Sequence, residues 1–489
     1  MRREDLLVEL GTEELPPKAL RALRDAFAAG MARELTAARL DFGAVTAYAA
    51  PRRLAVKIID VLAQQPDQVE EKLGPALVAA FTAEGAPTQA ALGFARGCGV
   101  EVTALEHIGE GKQARLMHRM LRPGEPTSAL LPALVSRALD GLPIPKRMRW
   151  GANRHEFVRP AHWLVLLFGT EIVPGEVLGV AAGRHSRGHR FHAPAPIALA
   201  CPADYPGCLE TAFVLADFDR RRARIEAGVT AAATALGGEA ILDPALLDEV
   251  TALTEWPVPL VGSFEKRFLD VPAEALIASM KGHQKYFPVQ DADGRLLNRF
   301  ITLANLESRD PAQVIDGNER VIRPRLTDAA FFFEQDCKQP LAARFERLRS
   351  VTFQAELGSL ADKTERVIAL AGWIAERIGA DPALARRAAL LSKCDLMTDM
   401  VGEFDELQGI MGAHYARLDG EPEEVRSRCG SNTCPHSPGT PCPPPSPAAF
   451  WAWPTGSIPW SASSALASLP PAPRTPLGCG GPPLACCVS

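Results

Sequence analysis

Residues 5–11, with the sequence DLLVELG, predict a short β-strand at the start of the chain. A helix is predicted to begin at residues 13–17 (EELPP), because proline fits the first helical turn and acidic side chains favour the positive end of the helix dipole. Apolar residues recur at helical spacing from there to about Leu40. Residues 51–62 (PRRLAVKIIDVL) predict a second strand, so the N-terminal region is expected to be mixed α/β.

The pattern of strands and helices continues further along the chain. Residues 101–120 predict strands, and residues 127–139 and 212–235 predict helices. The turn sequence Asp-Ala-Asp-Gly at 291–294 is expected to join two strands, within residues 286–303, as a hairpin.

The sequence after about Phe331 predicts helices alone. One helix is expected at residues 362–378, with Gly379 at its C-terminal end. Asp381 then provides a capping carboxylate and Pro382 a first helical residue for the next helix. The expected fold class is therefore α+β multidomain, in which a mixed α/β region precedes a helical one.

Composition limits the classes of function. The chain has 489 residues, 47% of them hydrophobic and 23% charged, with a net charge of −5. This is the balance of a globular protein of about three domains. A weakly acidic chain has no overall basic field, so contact with nucleic acid would require local cationic clusters. The longest apolar stretches, such as 163–168, are far shorter than a membrane span, and no secretory signal is evident. No membrane partner is expected.

Five scattered cysteines bear on the compartment. They have no pairing pattern and are predicted to be buried free thiols in a reducing environment, which indicates a cytoplasmic protein. They are Cys98, Cys201, Cys208, Cys337 and Cys394.

Residues 426–489 differ from the rest of the chain. They hold 15 of the 42 prolines, 6 of the 11 cysteines and 3 of the 7 tryptophans, with no Asp, Glu or Lys. The lack of periodicity predicts disorder. A proline-rich linker, a cysteine-based metal module and an out-of-frame translation are all open. The absence of C-x2-C pairs, with only His436 near the cysteines, disfavours a metal module, and tryptophans without carboxylates favour a frameshift near Val425.

Several short cationic clusters could bind phosphates, some with aromatic neighbours that could stack on unpaired bases. Each cluster could instead be a solvated surface or be paired with acidic residues. The candidate contacts with tRNA or a protein partner are Arg52, Arg53, Lys146, Arg147, Arg149, Arg187, His189, Arg190, Lys281, Lys285, Arg320, Arg323 and Arg325.

Residues 392–404 are predicted to form a helix with Asp395, Asp399 and Glu403 on one face, followed by His414. A metal-dependent phosphohydrolase needs several imidazoles as well as carboxylates, so a charged outer face is favoured over a metal site. Asp395, Asp399 and His414 are weak metal candidates. The sequence contains no phosphate-binding P-loop, G-x-S-x-G, H-E-x-x-H or C-x-x-C motif, which predicts a binding subunit without its own catalytic centre.

Long segments, in order along residues 1–425, resemble the β subunit of bacterial heterotetrameric glycyl-tRNA synthetases (glycine–tRNA ligases). The longest include LLVELGTEELPPKAL (6–20), LIASMKGHQKYFPV (276–289), NERVIRPRLTDAAFFFEQD (318–336) and LSKCDLMTDMVGEFDELQGIMGAHYARLDGEP (391–422).

The resemblance implies an α2β2 enzyme that attaches glycine to tRNA(Gly) at the expense of ATP. In that family the α subunit carries the class II catalytic core and binds ATP with Mg²⁺. The β subunit mainly contacts tRNA and completes the assembly. The resemblance therefore implies no catalytic residue and no bound cofactor in this chain.

Domains follow from the same resemblance. A mixed α/β region for tRNA or partner binding is expected at 1–335, and the start of a helical domain related to HD phosphohydrolases at 336–425. An aberrant or disordered tail is expected at 426–489. Cys394-Asp395 stands where a phosphohydrolase would have His-Asp. The family continues past residue 425 to an anticodon-binding domain, so truncation is expected.

Two other functions remain open from the sequence. The chain could be a stand-alone tRNA-binding protein without a ligase partner. It could also be a metal phosphohydrolase that uses Asp395, Asp399 and His414.

Overall fold

The computed structural model describes residues 2–82, 85–109, 113–152 and 154–431. The chain divides into two compact units. Unit 1 contains Met1–Gln339 and Leu396–Leu407, and unit 2 contains Pro340–Asp395 and the described residues from Gln408 onward. Within the described residues, no helix combines the length and the apolar character needed to cross a bilayer.

The first part of unit 1 alternates strands and helices, with a short 3-10 turn at Pro17–Ala19 before the first helix. Its elements are β1 (Arg3–Thr12), α1 (Leu20–Ala37), β2 (Val45–Ala50), β3 (Arg53–Leu62), β4 (Gln68–Ala76), α2 (Leu77–Ala80), α3 (Gln89–Cys98), β5 (Glu106–Ile108), β6 (Arg115–Arg122) and α4 (Thr127–Asp140).

The second part of unit 1 has shorter strands and a long final helix. Its elements are β7 (Ala161–Phe168), β8 (Glu171–Ile172), β9 (Glu176–Val177), β10 (Val180–Gly183), β11 (His185–Arg187), β12 (Pro196–Ala198), α5 (Tyr205–Thr211), α6 (Phe218–Ala235), β13 (Glu239–Ala240), α7 (Pro244–Leu253), β14 (Val258–Ser263), α8 (Ala273–Gln284), β15 (Phe287–Gln290), β16 (Leu296–Ala304) and α9 (Pro311–Asp336).

Unit 2 is mainly helical. It contains β17 (Thr352–Gln354), β18 (Gly358–Ser359), α10 (Leu360–Ile378) and α11 (Pro382–Leu391). The chain then returns to unit 1 for α12 (Asp399–Glu403), and unit 2 resumes with α13 (Ile410–Leu418) and α14 (Glu423–Ser431).

A central sheet organises unit 1, with its strands in the order β2-β3-β1-β7-β10-β9 and β8 paired with β7. β1 is antiparallel to both β3 and β7, whereas β10 is parallel to β7. Successive side chains of a strand point to opposite faces of its sheet. Leu6, Val8 and Leu10 accordingly lie in one core with apolar residues of α1 and α4, and Leu7 lies in a separate core with Trp163.

Two smaller sheets complete unit 1. The three-stranded sheet β4-β6-β5 has a core with residues of α2 and α3, including Ala80, Ala91 and Leu116. The four-stranded sheet β13-β15-β16-β14 has a core with α6 and α7, which includes Ile225 and Leu246. The short strands β11 and β12 form a separate pair.

Many of the predicted elements of unit 1 are confirmed. The strand predicted at 5–11 lies within β1, and the hairpin predicted around 291–294 is β15 and β16. The helix predicted at 212–235 begins only at Phe218. Asp217 determines this start, because its carboxylate accepts hydrogen bonds from the backbone N–H groups of Asp219 and Arg220.

The predicted C-terminal end of α10 and the predicted start of α11 are confirmed as well. Ser359 and Asp362 form a capping box at the start of α10. Gly379 follows α10 in the left-handed conformation, with φ 73°. The side chain of Asp381 caps α11, and Pro382 is its first residue.

One apolar face of α10 is exposed in the described structure. Five large apolar side chains of this helix are involved. The exposed fractions of these side chains range from 40% to 52%, for Val367, Leu370, Trp373, Ile374 and Ile378.

The predicted helix at 392–404 is wrong. α11 ends at Leu391, Cys394–Met397 is a 3-10 turn, and α12 begins after Thr398. The Thr398 hydroxyl accepts a hydrogen bond from the N–H of Val401 and starts a new helix there. Asp395, Asp399 and Glu403 are therefore not on one continuous helix.

Two further expectations need correction. Cys337 is exposed, and only Cys394 of the five scattered cysteines is buried, while the other three are partly buried. The tail expected from residue 426 begins inside α14, where Cys429 is 1% exposed. The remainder of that tail, residues 432–489, lies outside the described residues, and the frameshift stays a prediction.

Candidate nucleic-acid interface

The register of the central sheet brings a tryptophan and an arginine together. Gly11 of β1 lies opposite Arg53 of β3 on one side and opposite Trp163 of β7 on the other. A Cβ atom at position 11 would lie 1.9 Å from the Trp163 ring. Only glycine therefore lets the indole lie across β1.

Arg53 is buried in a network of polar groups on this face of the sheet. Its Nη1 lies 2.9 Å from the Glu9 carboxylate and its Nη2 lies 3.3 Å from that of Glu255. Its Nη2 also donates to the carbonyl of Arg187 at 2.7 Å, and the Ser186 hydroxyl donates to Glu9 at 2.9 Å. The network thus fixes the segment at 186–187 against the sheet.

The charge of Arg53 is neutralised inside the protein. Burial disfavours this charge, but the carboxylates of Glu9 and Glu255 outweigh burial and raise the pKa of Arg53 above its ordinary value. Arg53 is only 1% exposed. The structure therefore gives this predicted RNA contact a role in holding the site together.

A cavity of about 340 Å³ lies over Trp163. It is lined by Arg52, His162, Trp163, Arg187, Gly188, Arg190 and Pro194. The guanidinium groups of Arg52, Arg53 and Arg187 lie 5.5–6.0 Å from the centre of the Trp163 ring, within the range of cation–π attraction. We call this cavity the Trp163 cavity.

The carboxylate of Glu13 borders the Trp163 cavity through two residues of its lining. Glu13 contacts His162 at 2.9 Å and Arg52 at 4.0 Å. Arg187 and Arg190 are exposed, and neither has a carboxylate partner among the residues that the structure describes. The cavity therefore carries an excess of positive charge, as an anion site requires.

A neighbouring cavity of about 470 Å³ shares Arg190 but has a different character. Glu13 and Glu14 line it together with Arg159, Leu15 and other apolar residues. The two acidic side chains offset its cations. The Trp163 cavity is thus the better site for a phosphate.

The segment at 188–193 is held by a buried histidine. His189 is 1% exposed, and its Nε2–H donates to the carbonyl of Asn305 at 2.6 Å. Its Nδ1 accepts from the N–H groups of Phe191 and His192, each at 3.3 Å. Burial is the largest cause that lowers the pKa of His189, so the neutral ring is favoured. His189 positions its neighbours, Arg190 and Phe191, at the surface.

Most of the other predicted cationic contacts have acidic partners. Eight of the thirteen candidates lie within 4.0 Å of a carboxylate. Besides Arg52 and Arg53, these pairs are Arg147–Asp140, Arg149–Glu156, Lys281–Asp243, Lys285–Glu249, Arg320–Asp316 and Arg323–Glu265. Cations engaged in this way offer less attraction to a phosphate.

Four exposed candidates have no carboxylate partner in the described part of the chain. They are Lys146, Arg187, Arg190 and Arg325. Two of them, Arg187 and Arg190, line the Trp163 cavity together with a third candidate, Arg52. Three of the thirteen predicted contacts therefore meet at this cavity.

Sequence reasoning missed three residues of this site. Trp163 and His162 lie in β7, whose apolar sequence is typical of a core segment. Phe191 lies in a basic stretch of the sequence and was not chosen as a candidate. Gly11 within the apolar strand β1 was the available signal, because a glycine inside a strand often marks the close approach of another group.

The weak metal candidates are not assembled into a ligand set. Asp395 and His414 belong to unit 2, whereas Asp399 belongs to unit 1. Over the residues that the structure describes, no three His, Cys, Asp or Glu side chains form a group that could hold a metal ion.

Comparison with known proteins identifies the family. A family model described as glycyl-tRNA synthetase beta subunit matches residues 6–452. The chain is 56% identical over 443 residues to the glycine–tRNA ligase beta subunit of Azotobacter vinelandii (strain DJ), covering 91% of this chain and 64% of that relative. It is 57% identical over 425 residues to the same subunit of Chromohalobacter salexigens, covering 87% and 62%. The chain therefore belongs to the glycyl-tRNA synthetase β-subunit family.

The predicted resemblance is thus confirmed, and the match is longer than expected. The family match continues to residue 452, past Val425, where the recognised segments end. The chain spans 62–64% of the length of the two relatives.

Proposed function

We propose that this chain acts in glycine–tRNA ligase as the β subunit, where it binds tRNA(Gly) and assembles with the α subunit into an α2β2 enzyme. Its membership of the β-subunit family, at 56–57% identity to the two relatives, is the observation that carries the proposal. The cationic Trp163 cavity supports the tRNA-binding part, because RNA affinity depends on cations placed to meet phosphates.

The division of labour follows from the chemistry. Glycine is activated by ATP, with Mg²⁺, to glycyl-adenylate, and the glycyl group then passes to the terminal adenosine of tRNA. We assign both steps, and the binding of ATP and Mg²⁺, to the α subunit. This chain contributes binding energy and the orientation of the tRNA, which lower the barrier by holding the reacting ends together. The enzyme would act in the cytoplasm.

Unit 2 is proposed to be the start of an HD-related domain that does not bind metal. Cys394, at the position of the phosphohydrolase histidine, is buried, and its thiol donates to the carbonyl of Leu390 at 3.1 Å. Burial, reinforced by the neighbouring Asp395, raises the pKa of Cys394 to about 12. A thiol that stays protonated is a poor metal ligand, which supports this assignment.

Co-expression with the α subunit of a relative tests the proposal. The α subunit of Azotobacter vinelandii is a suitable partner, since its β subunit is 56% identical to this chain. We expect the two chains to co-purify and to attach radiolabelled glycine to tRNA(Gly) only when both are present. Failure to form a complex, with tRNA binding retained, would favour a stand-alone tRNA-binding protein.

A further inference from the structure

We infer that the Trp163 cavity binds the phosphate of an unpaired RNA nucleotide and that the base of this nucleotide stacks on Phe191. The inference rests on the proposed function, because it specifies which part of an RNA this chain recognises. It follows from the charge of the cavity and from the exposed ring of Phe191, which comes directly after Arg190 of the cavity lining in the sequence.

The charge of the cavity selects an anion. Arg187 and Arg190 line it without a carboxylate partner in the described part of the chain, while Glu13 offsets part of the charge of Arg52 and His162. Guanidinium groups present several N–H donors in one plane and often bind phosphate through two hydrogen bonds. A phosphate between Arg187 and Arg190 would meet both charges.

Phe191 provides the surface for a base. It is 70% exposed and lies between Arg190 and His192. The backbone around it is preorganised, since the N–H of His189 donates to the carbonyl of Ala212 and the N–H of Ala193 donates to the carbonyl of His189, at 3.0 and 2.9 Å. An exposed ring on a fixed segment is suited to stacking on an unpaired base, as in many proteins that bind single strands.

The same features favour an unpaired strand over a duplex or a free nucleotide. In a duplex the faces of the bases are already stacked and cannot meet Phe191. A cavity of about 340 Å³ is at the small end of ligand sites and suits one nucleotide unit at a time. Both Arg190 and Phe191 are exposed, as is expected where a strand continues beyond the cavity.

Fluorescence anisotropy of the full chain with a 5′-labelled single-stranded RNA hexamer tests the inference. We expect the hexamer to bind better than the same sequence in a duplex, and AMP to compete only weakly. The double variant Arg187→Gln/Arg190→Gln should weaken binding at least tenfold. It should also make binding less dependent on salt, by about 0.7 in slope for each phosphate that is no longer neutralised. Phe191→Ala should weaken binding about tenfold with an unchanged salt slope, and Phe191→Tyr should restore it.

Arg295→Gln is the matched control. Arg295 is an exposed arginine of unit 1, 80% exposed at its side chain, and lies in the β15–β16 turn away from the lining of the cavity. This variant should bind the hexamer as the unchanged chain does. Circular dichroism of every variant would verify that the fold is retained.

Each outcome decides the inference. Equal binding by the Arg187→Gln/Arg190→Gln variant and the Arg295→Gln control would overturn it. The inference would also be overturned if AMP competed as effectively as the hexamer. It would equally be overturned if the Arg187→Gln/Arg190→Gln variant lost binding to the α subunit and kept its affinity for RNA. If intact tRNA binds but these variants have no effect, the proposed function stands and the cavity assignment fails. If the hexamer binds as described but tRNA(Gly) is not glycylated with the α subunit, the cavity assignment stands and the proposed function fails.

Discussion

The contacts that stabilise the two units join residues at different separations along the sequence. In unit 1, β1 pairs with β3 and β7, and Arg53 joins Glu9 and Glu255, which are 44 and 202 residues away. In unit 2, α10 begins at the Ser359–Asp362 capping box and ends at Gly379, and α11 begins at the cap supplied by Asp381. A non-local network is disrupted wherever one member is removed, whereas local caps act on one helix each.

The central sheet of unit 1 and the apolar face of α10 in unit 2 differ in burial. The sheet of unit 1 encloses charged groups together with its apolar side chains, and Glu9 is fully buried. Unit 2 leaves apolar side chains of α10 exposed, among them Leu370 at 47% and Trp373 at 52%. Identical substitutions should therefore have very different consequences in the two units.

Replacement of Arg53 should have the largest effect on stability. Arg53→Met leaves the buried carboxylates of Glu9 and Glu255 without their cation, which typically costs about 3–5 kcal/mol. Urea unfolding followed by circular dichroism would measure the loss of free energy. Hydrogen exchange of the β1 and β3 peptides would show that the loss belongs to unit 1.

A double variant provides the control for Arg53. Arg53→Met/Glu9→Gln removes one of the stranded charges and should recover part of the lost stability. A loss of less than about 1 kcal/mol in the single variant would show that the network is not critical. The proposed difference between the units would then lose its main support.

A pair of leucine substitutions compares the two units directly. Leu166 of β7 is fully buried opposite Val8, whereas Leu370 of α10 is about half exposed. Leu166→Ala should cost about 2–5 kcal/mol because it opens a cavity in a packed core. Leu370→Ala should cost less than about 1 kcal/mol, since this side chain buries little apolar surface and alanine favours a helix.

Urea unfolding of both leucine variants, with hydrogen exchange of the β7 and α10 peptides, would test this comparison. Equal losses of stability at the two positions would show that the face of α10 is packed as tightly in solution as the core of the sheet.

The same contrast explains how far the sequence could predict the structure. The C-terminal end of α10 and the start of α11 were predicted correctly, because Gly379, Asp381 and Pro382 act on residues within one turn. The hairpin at β15–β16 was likewise predicted from its local turn.

Features that depend on distant residues were not predictable in this way. The Arg53 side chain is buried with Glu9, which the pairing of β1 with β3 places beside it, and with Glu255 from the loop between α7 and β14. Neither contact leaves a local pattern in the sequence. Trp163 joins the candidate site for the same reason, through its register with Gly11. The prediction of one continuous helix at 392–404 failed for a local reason. The Thr398 side chain caps a separate short helix there, which interrupts the predicted one.

Two glycine substitutions test the local side of the comparison and should have smaller effects than the changes at Arg53 and Leu166. An added Cβ would contact nothing within 4 Å at either Gly379 or Gly317, so only the backbone differs. Gly379 has φ 73°, where a side chain costs about 1–2 kcal/mol. Gly317 lies inside α9 without a positive φ, so Gly317→Ala should stabilise unit 1 by roughly 0.5–1 kcal/mol.

Urea unfolding should therefore give opposite signs for Gly379→Ala and Gly317→Ala. Faster hydrogen exchange in the last turn of α10 should accompany only the change at Gly379, because the cap acts on that turn alone. A stabilising effect of Gly379→Ala would mean that the left-handed cap does not persist in solution. Loss of stability throughout unit 2, beyond the end of α10, would mean that its helices depend on one another as strongly as the strands of unit 1.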